Sequence, residues 1–327
     1  MLTNKIEKNE FRLADEAAGL LEMQLAEWEF LKANYEKLAD IIAKEIRYED
    51  YKFIALHNPE RIKSTAADVS DSGIKNRKCF LCKENLPVEQ RGIVYDKKYY
   101  LLCNPYPVVG KHYTIVKLKH MPQQIVGNIE DLLDLTRHMS KYFTLFYNGP
   151  KCGASAPDHM HFQAIEKKKM PLEDDFKKLI GDSRNFRIDK SRISITAAET
   201  YPGKPVIVES EHKGEILKAF RTILNGLKKI YEPKEEPMIN IVSTYEGNKW
   251  SLFIFPRREH RPAEFYSGEL IVSPAALDMA GLVIVPRKED LDKIDRDKLI
   301  DIYKQVSFTK EYYEFLKKKL FEKYIRV

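Results

Sequence analysis

Cysteine is scarce. Four in 327 residues cannot build the disulfide framework of a small secreted domain, and two of them, Cys79 and Cys82, form a lone C-x-x-C. In a reducing compartment that pair reads as metal-binding or redox. Long apolar runs are also missing: no window approaches the roughly 20 apolar residues of a membrane span. The stretch from Met1 to Glu10 lacks the apolar centre of a signal peptide, so the expected location is cytoplasmic. Neither charge sign dominates, since 55 Lys and Arg against 49 Asp and Glu leave +6. An excess this mild suits an anionic small substrate as well as nucleic acid. No platform of interleaved aromatic and basic residues favours RNA. What remains is a chain with 43% apolar and 32% charged residues and a mean hydropathy of −0.46. That describes a soluble globular protein, long enough for two domains or one domain duplicated.

The densest chemistry lies between Gly153 and Ile165, G-A-S-A-P-D-H-M-H-F-Q-A-I. A run of small residues leads into an alternation that puts His159, His161 and Gln163 on one side and Met160, Phe162 and Ala164 on the other. On a strand, a period of two gathers both imidazoles and the amide on one face. That pattern fits a metal ligand, a nucleophile and a polar clamp, and it fits equally the solvated face of an edge strand.

Leu21, Leu25, Trp28, Leu31, Tyr35, Leu38, Ile42 and Ile46 recur at spacings of three and four. They predict one long helix from about Ala14 to Ile46, either packed on the body or paired in a coiled-coil homodimer. A strand is expected at Tyr51 to Leu56. The loop after it offers Arg61, Lys63, Ser64 and Thr65, either as phosphate contacts or as an ordinary polar loop. Strands follow at Ile93 to Asn104 and His112 to Leu118, joined by N-P-Y-P-V-V-G-K-H. Asn128 is placed to cap a helix starting near Glu130, and Phe143 to Asn148 reads as a strand. Beyond Ile165 the pattern predicts strands at Val206 to Glu209, Met238 to Tyr245, Lys249 to Phe255, Glu269 to Ser273 and Leu282 to Val285. Helices are expected at Lys213 to Tyr231, Lys288 to Val306 and Thr309 to Tyr324. Ile115 to Pro122 echoes Phe253 to Pro262, each an apolar strand ending in basic residues and His-x-Pro, which suggests two related halves. Arg257 and Arg258 follow a predicted strand and read as its solvated basic end, with a contact to distal phosphate as the alternative. The expected divisions are 1–50, 51–168 and 169–327.

A zinc site needs about four N or S ligands. With one C-x-x-C, the others must be histidines, and His120 and His159 lie next to predicted strand ends. A closed Cys₂His₂ site of this kind is structural. An adventitious cysteine pair is the alternative reading, and the redox reading lacks a strand-to-helix context. If His159 holds metal, His161 is free to act as a nucleophile toward phosphorus. The Gln163 amide can bond phosphoryl oxygens but cannot shuttle a proton. An incoming phosphate is already ionised, so the pair suits transfer onto phosphate better than hydrolysis.

Cys79-x-x-Cys82, the loop from Asn104, His120 and G-A-S-A-P-D-H-M-H-F-Q follow one another as in the histidine triad superfamily. The chain resembles its transferase branch, in which glutamine replaces the last triad histidine: galactose-1-phosphate uridylyltransferase, diadenosine tetraphosphate phosphorylase and the GDP-hexose phosphorylases. The resemblance spans about Lys78 to Ile165, with a looser likeness to the dinucleotide phosphorylases at S-P-A-A-L-D-M-A-G-L from Ser273. It implies an α+β fold of two half-barrel repeats with flanking helices. It implies His161 as the nucleophile and Gln163 on the transferred phosphoryl group. Structural zinc on Cys79, Cys82, His120 and His159 is implied too, with nucleotide contacts from Asn148, Gly153 and Ser155. Asn104 is a further candidate for base or ribose. The spacing between Gly153 and His159 is one residue longer than usual. Met160 stands where the uridylyltransferases carry proline, which tilts the reading to phosphorylases. The expected activity is phosphorolysis of a nucleotide sugar or dinucleoside polyphosphate, with phosphate or a sugar phosphate as acceptor. A hexose-1-phosphate nucleotidyltransferase and a non-catalytic nucleotide-binding protein are the alternatives.

Overall fold

The computed structural model describes residues 11–65, 68–231 and 236–325. The first ten residues, read above for a leader, lie outside them. Among the described residues, no helix is long and apolar enough to cross a membrane.

Thirteen strands carry the described chain: β1 (Ile42–Tyr48), β2 (Tyr51–His57), β3 (Gly92–Tyr95), β4 (Tyr99–Cys103), β5 (His112–Lys117), β6 (Phe143–Asn148), β7 (His161–Glu166), β8 (Phe186–Lys190), β9 (Ile193–Ala197), β10 (Val206–Ser210), β11 (Ile239–Glu246), β12 (Lys249–Pro256) and β13 (Leu282–Val285). Ten form one sheet in the order β3-β4-β5-β7-β6-β11-β12-β10-β9-β8. Counted inward from its two edges, the order is 3-4-5-7-6 and 8-9-10-12-11. Each half is a three-strand meander, then a helix (Ile129–Met139 or Lys213–Leu227), then a closing hairpin. The halves join where β6 pairs antiparallel with β11, Asn148 opposite Asn240 and Leu145 opposite Ser243.

This arrangement corrects two expectations. Where two half-barrel repeats were expected, the two halves share one continuous sheet that closes into no barrel. The echo between Ile115 and Phe253 matched the wrong strands: by position β5 corresponds to β10, and β12 to β7.

Strand parity sets the two faces. Tyr113 and Ile115, Leu145 and Tyr147, Phe162 and Ala164 point to a core shared with the helices Arg12–Glu27, Ile129–Met139, Lys213–Leu227 and Lys310–Tyr324. The other face packs in part on a small sheet, β1-β2-β13, in which β13 runs parallel to β2. There His112, Thr114, Asn148, His161 and Gln163 line a cavity.

The long helix expected from Ala14 to Ile46 is broken. It runs Arg12–Glu27, pauses at Trp28 (φ −119°, ψ 94°), resumes at Glu29–Glu36 and ends in a 3₁₀ turn before β1. Leu38, Ile42 and Ile46 misled because a spacing of four is even, and so serves a strand as well as a helix. The stripe packs on the protein's own sheet, with Leu13, Leu20, Leu21, Trp28 and Leu31 in the shared core. Glu269 to Ser273, read as a strand, is irregular. Its Leu270 and Ile271 N–H groups donate to the Glu264 carbonyl and the Asp290 carboxylate instead of a neighbouring strand.

Candidate active site and metal centre

β7 lies between β5 and β6, so the edge-strand reading of its polar face does not apply. Met160, Phe162 and Ala164 are fully buried and fix the strand's rotation. His161 and Gln163 consequently face a cavity of about 710 Å³, whose wall also carries Arg61, Asn104, Asn148, Gly153 and Ser155. Ser64 sits in the helix Ile62–Thr65; its side chain lies outside the described residues.

His161 is held on three sides. Its N–H donates to Gln123 Oε1 (2.8 Å), its Nδ1 lies 2.8 Å from the His159 carbonyl, and its own carbonyl accepts from Gln123 Nε2 (3.0 Å). A carbonyl only accepts, so Nδ1 carries the proton and Nε2 is left with the lone pair. Burial pushes the imidazole down to about 4, against the bond to the His159 carbonyl, which raises it, so it is neutral near pH 7.

Gln163 is oriented by His112. The Val108 N–H donates to His112 Nδ1 (3.3 Å), which puts the ring proton on Nε2, and Nε2–H donates to Gln163 Oε1 (2.8 Å). With its oxygen occupied, Gln163 keeps its NH₂ for a ligand. Burial first, then the Arg61 charge, hold His112 down at about 3, so this tautomer persists across the neutral range. Asn148 is fixed in the same way. Its Oδ1 accepts from Asn240 Nδ2 (2.9 Å) and the Ala276 N–H (2.8 Å), which leaves its NH₂ as the remaining donor. Asn104 braces its own turn, accepting the Tyr106 N–H (2.9 Å) and donating to Thr114 Oγ1 (3.2 Å). Arg61 donates to the Tyr106 carbonyl (2.9 Å).

Sequence reasoning missed Gln123 and His112, because neither belongs to a spacing pattern. It also misjudged Arg257, which is fully buried and not a solvated strand end.

Cys79, Cys82, His120 and His159 gather with their ligand atoms within 4.8 Å of one another. Cys79 Sγ lies 3.2 Å from His159 Nδ1, Cys82 Sγ 3.1 Å from His120 Nδ1 and 3.6 Å from His159 Nδ1. Metal bonds of roughly 2.3 Å to sulfur and 2.0 Å to nitrogen at a tetrahedral angle imply S···N edges of about 3.5 Å, so the donors can hold a tetrahedral cation. His159 Nε2–H donates to the Lys117 carbonyl (2.7 Å), which turns its Nδ1 lone pair to the thiols. Burial, then Cys79, push the Cys82 thiol up to about 12 without a cation. An ion pair between Arg77 and Asp158 ties the C-x-x-C loop to the segment before His159.

The fold and site together define a protein whose two halves share one ten-stranded sheet, with a histidine-lined cavity beside a Cys₂His₂ cluster. Residues 20–166 match the family described as a domain of unknown function, DUF4922, and residues 179–325 match the GDPGP1-like C-terminal domain. The crystal structure of yeast Ap4A phosphorylase Apa2 superposes with a TM-score of 0.56 at 16% identity, covering 86% of this chain and 94% of that one. The same enzyme in complex with Ap4A gives 0.56 at 15%, covering 86% and 96%. This chain shares that fold. No curated protein matches it in sequence.

Proposed function

We propose that the protein transfers a nucleoside monophosphate through a covalent intermediate on His161, phosphorolysing a nucleotide sugar or dinucleoside polyphosphate. The observation that carries this reading is the pinning of His161 Nδ1–H on the His159 carbonyl, beside an amide that offers only N–H groups. His161 Nε2 attacks the α-phosphorus as the P–O bond to the leaving phosphate breaks and takes its electron pair. The imidazolium that forms keeps Nδ1–H on a carbonyl, which steadies its charge. Gln163 and Asn148 donate to the phosphoryl oxygens. A phosphate oxygen then attacks phosphorus, the P–N bond breaks, and its electron pair returns to Nε2, releasing a nucleoside diphosphate. The likeness to the yeast phosphorylase, whose structures include complexes with AMP and Ap4A, and the GDPGP1-like match support this donor class.

The cluster of Cys79, Cys82, His120 and His159 is assigned to structural zinc: the soft donor set fits it, and four protein ligands leave no open position. A reducing, cytoplasmic setting suits the free thiols.

Incubation with labelled nucleotide sugars and dinucleoside polyphosphates, without acceptor, tests the reading. We expect an acid-labile, alkali-stable adduct that is absent in His161→Asn. An adduct that persists in that variant, or none across the panel, overturns it.

A further inference from the structure

A second, smaller concavity adjoins the main cavity on the side of the C-terminal half. Beyond β12 the guanidinium of Arg257 is fully buried and donates to Asn240 Oδ1 (2.6 Å) and to the carbonyls of Pro274 (2.8 Å), Glu259 (3.2 Å) and His260 (3.0 Å). These bonds fix both ends of the 257–274 excursion. They bring His260, Arg261 and Ser273 opposite Arg61 and Thr65 around a recess of about 40 Å³. Arg61, Gly153, Ala275 and Asp278 belong to the walls of both spaces.

The recess is electropositive. Arg261 is pre-set by neutral groups, with Nε donating to Ser273 Oγ (3.0 Å) and Nη2 to the Thr65 carbonyl (3.1 Å), and the guanidinium lies 4.0 Å above the Phe265 ring. Burial first, then Arg261, Arg257 and Lys151 in turn, hold His260 down to about 4, as expected beside a concentration of positive charge. Asp278, the one carboxylate on this wall among the described residues, turns Oδ1 to the Ile284 N–H (2.8 Å) and Oδ2 to the Ala275 N–H (2.9 Å). The space has the volume of about three waters at roughly 10–15 Å³ each, the scale of one tetrahedral oxyanion and too small for a sugar phosphate.

We propose that this recess is an oxyanion subsite that takes a single phosphate group, gripped by the Arg261 and Arg61 guanidiniums with the Ser273 hydroxyl beside them. The inference rests on the nucleotidyl-transfer reading and sharpens it. The occupant is either the inorganic phosphate that attacks the His161 adduct or the distal phosphate of the donor. In the first case a phosphate oxygen forms the new P–O bond while the P–N bond breaks toward Nε2. Guanidiniums suit both, since they bind phosphate as a planar fork.

The test titrates the full-length protein with inorganic phosphate, followed by ³¹P NMR, and measures KM for phosphate and donor separately in wild type, Arg261→Gln and Arg261→Lys. We expect Arg261→Gln to weaken phosphate binding by about tenfold or more. Arg261→Lys, which keeps the charge without the fork, falls between and guards against a folding defect. A rise confined to the phosphate KM identifies the acceptor. A rise in donor KM with slower adduct formation identifies the donor's distal phosphate. Unchanged phosphate affinity together with unchanged KM values in both variants overturns the subsite. An Arg261-dependent phosphate titration in a protein that never forms the His161 adduct leaves the subsite standing and removes the transfer reading instead.

Discussion

At the scale of single residues, the site works by removing choices. His161 has one available nitrogen and Gln163 one available end, and each restriction begins at a main-chain group: the His159 carbonyl and the Val108 N–H. His112 touches no reacting atom in the proposed mechanism; it positions Gln163. Replacing it with phenylalanine removes the donor to Gln163 Oε1 and lets the amide rotate. We expect kcat to fall by about 10–100-fold, the scale of lost outer-shell support, with a smaller change in donor KM; an equal loss of stability and activity would mark a merely structural role. His112 also couples stability to pH. Its folded pKa of about 3 lies below the unfolded value near 6.5, so between the two only the unfolded chain takes up the proton. The stabilisation is therefore full above about pH 6.5 and is lost as pH falls. Between pH 7 and pH 5 this group alone removes about 2 kcal/mol. His161 and His260, also held low, add losses of their own, so urea unfolding at the two pH values should show a loss in His112→Phe that is smaller than in wild type by about this amount. His161, held down to about 4, should form its adduct at an undiminished rate well below pH 6.5.

At the scale of elements, the cluster of Cys79, Cys82, His120 and His159 joins the C-x-x-C loop, the segment after β5 and the segment before β7, and His159 also supplies the carbonyl that orients His161. Chelation should thus do two things: lower the thermal midpoint and slow adduct formation at least tenfold, both reversed by added zinc. The close approach of the halves at Gly153 is a second element-scale device. Gly153 has φ +89°, and a Cβ there would lie 2.5 Å from Ala275 Cβ, whereas Gly127 has φ +81° and open space. Gly127→Ala should cost about 1 kcal/mol from backbone strain alone. Gly153→Ala adds a clash and should cost about 2–4 kcal/mol, measured by denaturant unfolding. Much of this level was legible from sequence. β7 announced itself because apolar side chains alternate with its histidines, and the C-x-x-C named half of the cluster by spacing alone. β8 and β9 went unread although F-R-I-D-K and I-S-I-T-A both alternate apolar and polar residues, because five residues give each pattern only two or three apolar positions. The recess could not be read at all. Arg61 and Arg261 stand 200 positions apart, and the buried Arg257, which looked like surface charge, and the bond from Arg261 to the Thr65 carbonyl bring them together.

For the whole molecule, the question is whether a duplicated chain behaves as two bodies or one. The hairpin halves are equivalent in strand order, yet nothing between them resembles a linker: β6 and β11 continue one hydrogen-bonded ladder. The helix-side core draws from both halves, Leu145 and Phe162 with Ile241 and Leu252, and the opposite core does the same with Phe146 and Ile165 beside Val242 and Phe253. Unfolding one half would expose the other's apolar surface at roughly 25 cal/mol per Å², and so would strip the seam of its partner strand. The chain should therefore unfold in one cooperative step despite its length. Its only two tryptophans make this measurable. Trp28 packs in the break of the N-terminal helix against the first half, and Trp250 stands on β12 in the second, donating to the Leu133 carbonyl across the seam (3.0 Å). Trp28→Phe and Trp250→Phe each leave one reporter. We expect the two denaturation curves, corrected for any shift in midpoint measured by circular dichroism, to coincide. A Trp250 transition that runs ahead of the Trp28 transition would show that the second half melts independently. The cavity, whose wall includes Ala275 and Asp278 from that half, would then open before the nucleophile's own strand unfolds.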